Sequence, residues 1–120
     1  MRHPENKSYS AQLSHDGAMS WAKTARELDR RGYAEVKKKA LTWALESELR
    51  ALNYLLDEDN IDEPSVSLFS KYAATFAADL GDYQMAQRLL DEALARNPEP
   101  KMKAELLRLL ADVQSDLEGA

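Results

Sequence analysis

The chain reads as all-α: a stack of antiparallel helix hairpins with about five helices and no strands. Two observations carry that reading. Apolar residues recur at three- and four-residue spacing through most of the sequence, the signature of helices with one buried stripe. No stretch sustains the apolar/polar alternation of a half-buried strand. Turn formers are also few, four glycines and four prolines in 120 residues, and most of those inside the periodic region sit between its segments.

Residues 1–12 are polar, show no sustained period, and read as a flexible N-terminal arm. A helix start is expected at Ser14 or Asp16, whose side chains can accept from free backbone N–H groups. Met19, Ala22, Ala25 and Leu28 then keep one face, with Trp21 beside them. Gly32 is expected to end this helix, because glycine enters the left-handed conformation freely. The second helix is expected from Ala34 to about Leu56, and at 1.5 Å per residue it would be roughly 35 Å long. Its apolar stripe is wide, so it should touch more than one neighbour. Residues 57–65, DEDNIDEPS, read as an acidic loop. A third helix is expected from Ser65 to Leu80, broken by Gly81-Asp82. A fourth runs from Tyr83 to about Arg96 and stops at Asn97-Pro98. A fifth covers about 100–118. One domain, residues 13–120, is the expected organisation.

Composition narrows the function classes. Hydrophobic residues make up 44% and charged residues 31%, a globular balance. There is no cysteine, which excludes disulfide frameworks, thiol nucleophiles and cysteine-bound zinc. No apolar run approaches a bilayer span, and residues 1–10 lack the apolar core of a secretory signal. The expected location is cytoplasmic, with no membrane partner. The net charge is −5, which argues against nucleic acid. The charge is uneven: residues 1–56 carry ten basic and seven acidic residues (+3), and residues 57–120 carry six and fourteen (−8). Arg26, Arg30, Arg31 and Lys37 to Lys39 form a basic cluster that reads as a solvated helical face or as a docking patch for an acidic partner.

A helix, glycine-tyrosine turn and helix occur twice, at Gly32-Tyr33 and at Gly81-Asp82-Tyr83. The second unit, residues 67–100, resembles a tetratricopeptide repeat, a helix pair of about 34 residues. The small residue of the first helix is Ala74. The Gly-x-Tyr turn is Gly81 and Tyr83, and the pattern continues through Ala86, Leu90, Ala93 and Pro98. Ser70 stands where the family usually has tryptophan. Residues 18–56 resemble the family as a degenerate repeat: Trp21, Ala25, Leu28 and Gly32 fit, one turn residue is missing, and the second helix is longer. The fifth helix resembles the capping helix of such a stack.

The resemblance implies a right-handed stack that binds a protein or peptide segment on the concave face lined by its first helices. Carried over by position, the partner-binding residues are Met19, Arg26, Asp29 and Arg30 in the first unit. Leu68, Lys71, Thr75 and Asp79 follow in the second, and Met102 and Leu109 in the last helix. Lys71 falls at a carboxylate-clamp position of the family, but Thr75 replaces the asparagine expected beside it, so it also reads as a solvated lysine. Trp21 and Trp43, on helices with apolar neighbours, read as core.

No catalytic constellation emerges. Asp91 and Glu92 are adjacent and diverge around a helix. His15-Asp16 has no nucleophile placed beside it. The run Asp57, Glu58, Asp59, Asp62, Glu63 lacks calcium-loop spacing, since Ile61 takes a ligand position and Asp62 the glycine. The expectation is no catalysis, no cofactor and no metal. The alternative to an adaptor is a structural homo-oligomer joined through the long second helix or the terminal helix. The glycine-tyrosine turn within residues 18–52 also resembles a helical hairpin of the microtubule-interacting-and-transport type.

Overall fold

A computed structural model describes residues 7–57 and 64–119. Within them are five helices and no strand: α1 (Lys7–Arg30), α2 (Ala34–Leu56), α3 (Ser65–Asp79), α4 (Tyr83–Ala95) and α5 (Pro100–Gly119). α1 and α2 form one hairpin and α3 and α4 a second; α2 packs on α3, and α5 covers both α4 and α3.

The two hairpin turns are built alike. In the first, Tyr33 N–H donates to Leu28 O and Gly32 N–H to Asp29 O. In the second, Asp82 N–H donates to Ala77 O and Gly81 N–H to Ala78 O. Both close the freed carbonyls of a helix end through a left-handed glycine, at φ +79° in Gly32 and +85° in Gly81. Asp82 then caps α4 by accepting from Met85 N–H. α4 ends at Ala95, and Asn97, just past its cap, takes φ +58° ahead of the buried Pro98. Glu99 accepts from Met102 N–H at the start of α5, with Pro100 at the first helical position.

Alanine dominates the first hairpin. Ala11, Ala18, Ala22 and Ala25 of α1 and Ala40, Ala44 and Ala51 of α2 are all buried. Small side chains let the two backbones approach closely. Larger groups fill the second layer: Leu55, Val66, Phe69, Phe76, Leu90, Leu106 and Val113. Ala74, Ala86 and Ala93 are fully or almost fully buried at the α3/α4 contact.

Two expectations are corrected here. α1 begins at Lys7, not at Ser14 or Asp16, so residues 7–12 of the expected arm are helical. Ala11 explains the extension: it is buried, and docking it in the core draws a further turn of polar sequence into the helix. Residues 1–6 lie outside the described residues. Trp21 and Trp43 are not core but 37% and 44% exposed, with ring centroids 4.5 Å apart. A hairpin seam closed by alanines leaves no room for an indole, so the two rings pack on each other at its edge. The expected acidic loop overlaps residues 58–63, which also lie outside the described residues.

Candidate functional site

α1 and α3 face each other without close backbone packing. At one end their side chains bridge the gap. The His15 ring stacks on Phe69, centroids 4.4 Å apart and 14° from parallel, and touches Tyr72. Beyond this bridge a groove of about 380 Å³ opens between the two helices. α1 contributes Met19, Ala22, Ala25, Arg26 and Asp29; α3 contributes Tyr72, Thr75, Phe76 and Asp79; α2 supplies Leu41 and Lys37. Each set follows helical spacing, which is why one strip of each helix reaches the same space.

The groove is apolar along its length and charged at one end. Asp29 and Asp79 lie at or near the C-terminal ends of α1 and α3, where helix dipoles disfavour negative charge. Lys37 Nζ bonds Asp29 Oδ1 at 2.9 Å. Burial raises the Asp79 pKa above the usual carboxylate value, and the nearby Lys37 charge opposes the shift.

Under the His15 bridge lies Glu48 of α2, fully buried. His15 Nδ1 is 2.9 Å from both Glu48 oxygens. Burial pushes the Glu48 pKa up to about 8. Burial also lowers that of His15, with Asp16 acting in the opposite direction. Both desolvation effects favour the uncharged pair, a neutral carboxyl donating to Nδ1. No buried side-chain N or O among the described residues lacks a hydrogen-bond partner.

Of the residues expected to bind a partner, Met19, Arg26, Asp29, Thr75 and Asp79 share this groove. Arg30 lies outside it, exposed and paired with Glu27. Lys71 reaches α5 instead, with Nζ 3.3 Å from Glu105 Oε2. Leu68 and Leu109 are half-buried against the core. Met102 lines a separate depression of about 360 Å³ with Pro64, Asn97, Pro98 and Glu99. A wider depression, about 850 Å³, is bounded by charged and polar residues of α1 alone, Lys23 to Arg30. It is an open helix surface, whereas the α1/α3 groove has walls on three helices.

The sequence reading missed Glu48 and its partner. Glu48 falls on the apolar stripe of α2, between Leu45 and Leu52, and a charged residue in that phase signals a buried pairing. Among the described residues no cluster of three or more His, Asp or Glu could hold a metal, and no helix is long and apolar enough to cross a membrane. No family model, curated protein or solved structure matches the chain.

Proposed function

We propose that the chain is a non-catalytic protein-interaction module, an adaptor or scaffold resembling the tetratricopeptide repeats, that holds a segment of a partner protein in the α1/α3 groove. The observation that carries this reading is the groove itself. It is an apolar trough walled by three helices and charged at one end, a form suited to a side-chain-bearing segment. The burial of Ala74, Ala86, Leu90, Ala93 and Pro98, with the left-handed turn at Gly81, supports the repeat-like character of the second hairpin. The reading requires no cofactor or metal and assigns no role to nucleic acid.

The test is capture of partners from native lysate with the wild-type chain and with Thr75→Arg/Arg26→Glu, which fills the groove and reverses a rim charge. A stoichiometric partner lost in a variant of unchanged helicity and melting temperature supports the groove. A partner retained in full by that variant overturns it.

A second reading, self-assembly, is favoured by one observation. Among the described residues the exposed large hydrophobics all lie on the first hairpin except Leu107: Tyr9, Leu13, Trp21, Tyr33, Val36 and Trp43. An apolar surface of this kind on the long α2 and its neighbour suits a second copy. Sedimentation of the wild type beside Trp43→Ser distinguishes it, since a dimer seam there dissolves in the variant.

A further inference from the structure

The outer side of α2 carries a charge pattern that matches itself when reversed. We infer that the chain forms a two-fold dimer in which α2 pairs antiparallel with α2 of a second copy, in the register centred between Thr42 and Trp43. The inference rests on the self-assembly reading and leaves the α1/α3 groove open.

α2 packs against α1 and α3 and turns its remaining side outward. At about 100° per residue, Glu35, Lys39, Thr42 and Glu46 fall on one stripe of that side. Val36, Trp43 and Arg50 run beside it at heptad spacing, and all seven are exposed. Lys37 and Leu41, which line the groove, lie on the side of the helix opposite the stripe.

The charges alternate along the stripe: Glu35, Lys39, Glu46, Arg50. None of the four has an ion pair among the described residues. A parallel pairing sets each against its own copy, like charge on like. An antiparallel pairing about the point between Thr42 and Trp43 sets Glu35 against Arg50 of the second copy and Lys39 against its Glu46. The two-fold axis repeats both pairs. Sliding one helix by a heptad loses this match, bringing Lys39 onto Lys39 in one direction and Glu46 onto Glu46 in the other.

The apolar groups obey the same symmetry. Val36 falls opposite the half-buried Leu49 of the second copy. Trp43, 44% exposed, sits beside the axis, where it meets its own copy, and Trp21 supports its ring from α1. An aromatic anchor at the centre with charged pairs around it is the usual anatomy of a specific interface. A single pair of helices falls at the small end of such interfaces, about 1,200 Å² in total. The dimer is therefore concentration-dependent, and the chain is a monomer when dilute.

The test is sedimentation equilibrium of the full chain from about 1 μM to 1 mM. The wild type is run beside Lys39→Glu, Glu46→Lys and the double variant Lys39→Glu/Glu46→Lys, with circular dichroism to check that each is folded. The wild type is expected to dimerise. Each single variant should dimerise about tenfold more weakly, because two symmetric ion pairs turn repulsive. The double variant exchanges the signs across the axis and should regain most of the wild-type affinity. A dimer that the single variants leave intact, or that the double variant fails to regain, overturns the inferred register and leaves self-assembly standing. A folded wild type that stays monomeric throughout overturns the self-assembly reading and the inference with it.

Discussion

His15 and Glu48 come from helices one turn-hairpin apart and meet with Nδ1 2.9 Å from both carboxylate oxygens, in a site where Glu48 is fully buried. The pair ties α1 to α2, and the His15 ring carries the contact on to Phe69 of α3. One side chain thus joins three helices at the closed end of the groove.

Stability should depend on pH through this pair. Glu48 is raised in the fold from 4.5 to about 8. The folded chain therefore keeps a proton that the unfolded chain loses, and this contribution is complete below pH 4.5 and lost as pH rises to about 8. His15 is lowered from 6.5, so its effect has the opposite sign: stability falls as pH drops below 6.5. The two oppose each other between 4.5 and 6.5, and Glu48 acts alone above 6.5. Urea titrations from pH 6.5 to 8 should show wild-type stability falling by up to about 1.4 kcal/mol per pH unit. Glu48→Gln, which cannot ionise, should be flat there. Equal slopes in the two chains would remove the buried-acid account.

Replacing Ala86 with tryptophan should destabilise the second hairpin severely. Ala86 has no exposed surface, and overpacking a closed core costs about 1–3 kcal/mol or more. Thermal melting by circular dichroism reads the loss. A variant melting with the wild type would mean that α3 and α4 do not approach closely at this position.

Two glycines should respond in opposite directions to alanine. Gly17 lies within α1, and a Cβ there meets nothing within 4 Å. Gly17→Ala should stabilise by about 0.5–1 kcal/mol through helix propensity. Gly81 also has open space, but it holds φ +85°. Gly81→Ala should cost about 1 kcal/mol or more from backbone strain alone. Denaturant midpoints of the two variants check both signs.

The indole pair should report its setting by fluorescence. Trp21 and Trp43 are partly exposed while in ring contact. Emission should be red-shifted relative to a buried indole, and acrylamide should quench both rings. Blue-shifted, unquenched emission in dilute solution would indicate a covered face, as self-assembly requires.

The limits of α2 to α5 were legible because strong punctuation brackets them: Gly32, Pro64, Gly81 and Asn97-Pro98 each change what the backbone can do. The start of α1 was not, since Lys7 to Gln12 offers little helical signal beyond Ala11, and tertiary burial of that alanine decides the matter. The tryptophans misled for a related reason. Apolar spacing assigns a stripe to the core, but alanines on both helices set a separation too small for rings. Part of the groove was legible residue by residue from the resemblance. Its closure by Lys37 and Leu41 of α2 was not, because residues 33–56 carry no motif that sets the register of the second helix against the first. The His15–Glu48 contact spans distant sequence, and only the phase of Glu48 on its helix hints at it.

That the α1/α3 groove holds a partner segment is decided by replacing Met19, in the groove wall, with a photo-crosslinking side chain of similar size, and in a second chain Trp43, on the outer hairpin face. A heterologous crosslink is expected from position 19 and none from position 43. A crosslink from position 43 alone, above all to a second copy of the chain, would contradict it.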